Sequence, residues 1–216
     1  MQTELARQQM ITQQVRAWDV LDERVLGVLG RVPREQFVPA DHRYLAFADV
    51  DVPLPCAEHM LRPSVAGRLL QALDIEPNER VLEIGAGTGF VTACLTAAGA
   101  HVRALEIHPE LARAAQANLS ALGMLQAEVI AVDAMLPLGA TRYNAIALTA
   151  SLPLYDERWQ RQLEVGGRLF VIVGEPPVME ARLVRRFSED NWSAESLFET
   201  VVDPLINAPR RAEFVF

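Results

Sequence analysis

The stretch Arg80-Val81-Leu82-Glu83-Ile84-Gly85-Ala86-Gly87-Thr88-Gly89-Phe90 sets the frame for the whole chain. An apolar run (Val81, Leu82, Ile84) enters a segment with glycine at alternate positions, and an apolar, helix-compatible segment leaves it at 90–99. This is the pattern of a buried parallel strand, a tight turn and a crossover helix, the opening of a βαβ unit. Glycine in the turn permits φ > 0 and lets a ligand approach the backbone without meeting a Cβ.

Glu83, at the strand end just before the first glycine, narrows the choice of ligand. A dinucleotide brings a pyrophosphate onto the following helix N-terminus, and a carboxylate beside it is repulsive. S-adenosylmethionine has an α-ammonium and a sulfonium at its methionine end and suits Glu83 better. The glycines at 85, 87 and 89, followed by Phe90, also depart from the dinucleotide spacing.

Working outward, strand and helix patterns alternate: strands at 80–84, 101–106, 128–132, 143–149 and 168–173, with helices at 89–99, 109–121 and 156–164. The segments 179–187 and 198–206 are β-prone and are expected as antiparallel strands at one edge. The alternation predicts an α/β fold with a doubly wound, mostly parallel sheet; the S-adenosylmethionine reading of Glu83 makes the expectation the Rossmann-like methyltransferase type. Ligands of such sheets bind at the carboxyl ends of the strands. There the chain carries Glu83, then Glu106 followed by Ile107, then Asp133 followed by Ala134. Glu106 is placed for ribose hydroxyls and Asp133 for an adenine amino group, with Ile107 and Met135 as candidate walls for the ring. The candidate cofactor-binding set is therefore Glu83, Gly85, Ala86, Gly87, Thr88, Gly89, Glu106, Ile107, Asp133 and Ala134.

Residues 3–31 read as two helices, the second N-capped by Asp22 and ending near Gly30. Residues 33–39 are proline-bounded and extended or turn-rich. The irregular segment 40–61 is expected as a loop able to close over the site, and Pro63 fits the first turn of the next helix. The expected organisation is a single methyltransferase domain, 1–216. Residues 1–62 form its helical cap and acceptor loop, and residues 63–216 form the cofactor-binding α/β core with C-terminal edge strands.

Of the 216 residues, half are hydrophobic, and the formal net charge is −8. Such a surface is a poor general partner for nucleic acid or an anionic membrane, so neither is expected. The two cysteines, Cys56 and Cys94, form no C-x-x-C pair, which argues against a disulfide framework or a cysteine zinc site. His101 and His108 fall at no metal-ligand spacing, so no metal is expected. The polar N-terminus lacks a secretory apolar region, and a cytoplasmic location is the expectation. Cys56 and His59 lie three apart in the irregular segment, a coincidence too common to mark a nucleophilic pair.

The chain resembles the protein-L-isoaspartate O-methyltransferase family. Pro33-Arg34-Glu35-Gln36-Phe37-Val38-Pro39 is similar to that family's PRE-x-FVP signature. Ala46-Phe47-Ala48-Asp49 with Pro53-Leu54-Pro55 resembles its AY-x-D…PLP segment, and Val81–Phe90 resembles its VLEIGTGSGY motif. Gln162-Leu163 with Gly166-Gly167-Arg168-Leu169, and Val202-Asp203-Pro204-Leu205, resemble its QL-x-x-GGRL and FVPL segments. The resemblance implies methylation of the abnormal carboxylate of L-isoaspartyl residues in damaged proteins, with S-adenosylmethionine as cofactor and isoaspartyl peptides as substrates. It carries the cofactor residues over at Glu83, Gly85, Gly87, Glu106 and Asp133.

The acceptor segment departs from the family. Where relatives have Thr-Ile-Ser-Gln-Pro, this chain has His59-Met60-Leu61-Arg62-Pro63, and the segment from Pro55 is shorter. Phe47 replaces a tyrosine and Asn144 an aspartate. His59 and Arg62 are the residues left to position an acceptor carboxylate. A methyltransferase for another acceptor, or a non-catalytic cofactor-binding module, are the alternatives that this departure raises.

Overall fold

The computed structural model describes residues 2–210. Helix α1 (Gln2–Gln9) runs on through a π-helical turn at Met10–Val15 and a 3-10 turn at Arg16–Trp18. Helix α2 (Glu23–Arg31) starts where expected: the Asp22 side chain accepts from the Arg24 N–H at 2.8 Å, and Val25, Leu26, Val28 and Leu29 form its buried face. Segment 40–61 carries more structure than its sequence predicts. It holds 3-10 turns at Ala40–Leu45 and Pro55–Ala57 and a two-residue antiparallel pair, β1 (Val52–Pro53) with β2 (His59–Met60). Helix α3 (Pro63–Leu73) follows, with Asp49 accepting from both the N–H and the hydroxyl of Ser64.

Strand β3 (Arg80–Ile84), helix α4 (Phe90–Ala97), strand β4 (His101–Glu106), helix α5 (Pro109–Ala121) and strand β5 (Ala127–Ala131) match the predicted alternation. Strands β6 (Tyr143–Leu152) and β7 (Leu163–Glu175) are longer than predicted, and α6 is only Arg158–Arg161. The expected helix at 156–164 is cut short because Leu163 already pairs with Tyr143 in the sheet. Strands β8 (Val178–Ser188) and β9 (Asn191–Glu199) close the order β5-β4-β3-β6-β7-β8-β9. The pairs from β5 through β7 are parallel and the last two are antiparallel.

The predicted edge strand at 198–206 lies instead at Asn191–Glu199. Most of β9 is exposed on both faces, so its polar residues gave no period-2 signal. Residues 200–206 leave the ladder, as suits a segment with proline at 204, and Pro204 makes a single bridge to Ser151 on β6.

Alternate residues of the central strands feed two separate cores. Val81, Ala145, Ala147, Phe170 and Ile172 pack with the residues of α2, α3 and α4. Leu82, Ile84, Ile146, Leu148, Leu169 and Val171 pack with Trp159 on the other face. Burial of each such aliphatic side chain contributes roughly 1.5–3 kcal/mol. The strands are thus buried on both faces, as a parallel sheet requires. The strand order reverses between β4 and β6, on either side of β3. That switch point opens a crevice at the carboxyl end of β3, where the glycine turn lies.

Candidate cofactor and acceptor site

Three adjoining cavities surround Gly85. The first, about 40 Å³, is lined by Glu83, Ala86, Gly87 and Thr88 of the turn, together with His59 and Leu61. The second, about 50 Å³, is lined by Glu106, Ile107, Asp133 and Ala134, with Leu205 and Ile206 facing them. The third, about 300 Å³, opens between the turn, residues 51–61 and residues 201–204. The sequence-predicted cofactor residues are therefore brought together, with two exceptions. Met135 is absent from all three linings, and Val132, Leu205 and Ile206 wall the second cavity beside Ile107. Gly89 serves packing instead: a Cβ there would lie 3.2 Å from Ala115 Cβ, so glycine lets α4 start directly against α5.

The turn is held by backbone geometry. Gly85 has φ +90°, and a Cβ on it would fall 2.6 Å from Thr149 Oγ1. That hydroxyl's single proton is shared between the carbonyls of Ile84 (2.9 Å) and Gly85 (2.6 Å), fixing the turn to β6. Gly87 N–H donates to Glu106 Oε2 at 2.8 Å, and His108 N–H donates to Oε1 at 3.0 Å. A carboxylate has about four lone-pair sites, so Glu106 keeps acceptor capacity for hydroxyls. Burial raises its pKa, and the two amides offset part of the rise. Asp133 accepts from Met135 N–H (2.8 Å) and Asn207 Nδ2 (2.9 Å) and likewise has acceptor positions left.

Glu83 has 0% exposure, and among the described residues neither of its carboxyl oxygens has a hydrogen-bond partner. Burial pushes its pKa up to about 8. The nearby Thr92 hydroxyl, which lies outside hydrogen-bonding geometry, opposes the rise, and Glu106 adds to it. A buried carboxyl without a partner is costly in its charged form. A cationic ligand group at this position would supply the missing partner. The residues thus fit S-adenosylmethionine: a buried acid lacks a partner of the kind a cationic group supplies, and Glu106 and Asp133 keep acceptor positions for hydroxyl and amino donors.

The two candidate acceptor residues part company. His59 lines the large cavity, and its Nδ1 lies 2.8 Å from Asp203 Oδ2. Cys56 is not its partner. Arg62 lines none of the three cavities, and its Nε and Nη2 are taken by Asp51 at 3.3 and 2.5 Å. Leu61 is 8% exposed and forms an apolar wall. Its carbonyl accepts from Arg34 Nη2 at 2.8 Å, while Arg34 Nε donates to Ala46 O at 3.0 Å. Arg34 is itself fully buried, its guanidinium 4.6 Å from the centroid of the Phe90 ring. The PRE motif therefore ties the acceptor segment to the start of α4. Sequence reading missed Asp203 and Asn207, although a charge inside the apolar Val202-Asp203-Pro204-Leu205 run was an available signal.

The family model for protein-L-isoaspartate(D-aspartate) O-methyltransferase (PCMT) matches residues 5–208. A protein-L-isoaspartate O-methyltransferase of Methylorubrum populi is 39% identical over 189 residues, covering 87% of this chain and 89% of its own. Protein-L-isoaspartate O-methyltransferase 2 of Pelobacter propionicus is 36% identical over 208 residues, covering 95% and 92%. A Plasmodium falciparum protein assigned as such an enzyme, crystallised with S-adenosyl-L-homocysteine, shares the fold. It superposes with a TM-score of 0.77 at 16% identity, over 90% of this chain and 96% of its own. With a family match over nearly its whole length and relatives well above 30% identity across almost all of it, the chain belongs to the protein-L-isoaspartate O-methyltransferase family.

Proposed function

We propose that this chain is an S-adenosylmethionine-dependent carboxyl O-methyltransferase that esterifies L-isoaspartyl residues of damaged proteins. The observation that carries the reading is the buried, unpartnered carboxyl of Glu83 at the switch point of a sheet whose relatives bear this activity in their names. When bound, S-adenosylmethionine would supply a methyl group on a sulfonium, with a neutral thioether as the leaving group. An acceptor carboxylate is already ionised at neutral pH, so no general base is required. The chain's own task is to hold one carboxylate oxygen in line and at near-attack distance. Leu54, Leu61 and Leu111 line the cavity and exclude water from that position.

In this reading residues 1–62 act as cap and acceptor segment and residues 63–216 as the cofactor-binding core of one unit. Glu83, residues 85–88 of the turn, Glu106, Ile107, Asp133 and Ala134 contact the cofactor. No helix among the described residues is long and apolar enough to cross a membrane. Both cysteines are free thiols, Cys56 exposed, which suits a reducing compartment such as the cytoplasm. Incubation with an isoaspartyl peptide and methyl-labelled cofactor should give a base-labile methyl ester. Transfer no greater than that of Glu83→Gln would overturn the reading.

A further inference from the structure

Among the described residues, two side chains in the lining of the large cavity carry a hydrogen-bond donor, His59 and Thr149. Thr149 spends its one proton on the carbonyls of Ile84 and Gly85. The lining otherwise presents four carboxyl groups, and each has a compensating partner. Asp51 pairs with Arg62, Glu58 with His108 Nε2 at 3.2 Å, Glu106 with two backbone amides, and Asp203 with His59. An anionic acceptor entering this cavity therefore meets one side chain able to bind it.

We infer that the His59 imidazolium, braced at Nδ1 by Asp203, binds the acceptor carboxylate through its Nε2–H, so that acceptor binding is lost as rising pH deprotonates His59. This rests on the isoaspartyl reading above and names the specificity-determining residue of that site. With Nδ1–H donating to Asp203, the neutral ring has a lone pair at Nε2 and repels a carboxylate. Only the protonated ring offers Nε2–H, and the bond it makes is charge-assisted. Asp203 is a positioning residue: it fixes the ring through Nδ1. The groups sharing the cavity with His59 are Asp203 from the segment after β9, Glu58 and Asp51 from the acceptor segment, and Glu106 from the end of β4.

The test is kcat/KM for an isoaspartyl peptide at saturating cofactor, measured with the full chain across about pH 5 to 9, the range around the ordinary histidine ionisation. Saturation keeps Glu83 out of the profile, and matched affinities for S-adenosylhomocysteine show that each variant is folded. Wild type should lose kcat/KM on the alkaline side. Asp203→Asn, which loosens the ring, should raise KM at acidic pH and leave kcat near wild type. His59→Gln, whose amide donates at every pH but carries no charge, should abolish the fall and raise KM about tenfold at acidic pH, because a neutral donor replaces a charge-assisted one. A wild-type profile or an unchanged KM in His59→Gln would overturn the inference alone. So would a wild-type rate that rises through this range and depends on His59, since a neutral ring would then be removing a proton from an O–H or N–H acceptor. No transfer by wild type at any pH would overturn the isoaspartyl reading itself.

Discussion

The two halves of the crevice are built from different materials. On the donor side, backbone geometry does most of the positioning: Gly85 and Gly87 at positive φ, the Gly87 amide on Glu106, and a fully buried acid without a hydrogen-bond partner among the described residues, Glu83. On the acceptor side the backbone is irregular, and side-chain pairs hold the cavity: Arg62 with Asp51, His59 with Asp203, and Arg34 on two carbonyls. A backbone-built site tolerates little change, because a Cβ in the wrong place has nowhere to go. A site built from side-chain pairs accepts replacements in sets. That contrast fits the resemblance read from sequence, which holds along the donor turn and breaks at His59-Met60-Leu61-Arg62.

The largest effect separating the halves is expected at Gly85→Ala. The new Cβ would sit 2.6 Å from Thr149 Oγ1 at φ +90°, combining a clash with a backbone strain of roughly 1–2 kcal/mol. Affinity for S-adenosylhomocysteine, read by calorimetry, should fall more than about 100-fold, equivalent to roughly 2.7 kcal/mol. An affinity within threefold of wild type would mean that the turn is not built for close approach.

Arg34→Met should act on the other half and less severely. It leaves the buried carbonyls of Ala46 and Leu61 without their donor, at about 1–3 kcal/mol each for a lost buried partner. Denaturant unfolding should show a loss of about 2–4 kcal/mol. KM for the isoaspartyl peptide should rise while cofactor affinity stays near wild type. Equal losses of both affinities would show that Arg34 supports the two halves alike.

The same division governs what could be read from sequence. The glycine spacing, the three carboxyl residues at strand ends and the strand–helix alternation were legible because each is fixed by local geometry. Position within a strand or turn dictates those residue types whatever lies far off in the chain. Asp203 was not legible as a site residue, since it meets His59 across 144 positions of sequence. Asn207 was hidden in the same way. For Arg62 the hidden partner is nearer in sequence: a cation near the site looks free until Asp51 is seen to hold it. Strand β9 was misplaced because, at the sheet edge, it buries too little to show a period.

The buried state of Glu83 joins the account's stability and functional consequences. In the ligand-free chain its folded pKa, about 8, lies above the ordinary carboxylate value. Between these values the folded chain holds more protons than the unfolded one, so stability falls as pH rises toward 8 and is greatest at the acidic end of that window. Glu83→Gln should remove this slope and make the ligand-free chain more stable near pH 8, by an amount on the order of a few kcal/mol, as judged by denaturant unfolding at both ends of the window. The same substitution should cost cofactor affinity.

The most direct test of the donor half is titration calorimetry with S-adenosylhomocysteine near pH 7, in two buffers of different ionisation enthalpy. A ligand ammonium that partners Glu83 should ionise it, releasing close to one proton per ligand bound by wild type and by His59→Gln. Glu83→Gln should release none and bind at least tenfold more weakly. Wild-type binding without proton release, or binding by Glu83→Gln as tight as wild type, would contradict the claim that this buried acid recognises the cationic end of the cofactor.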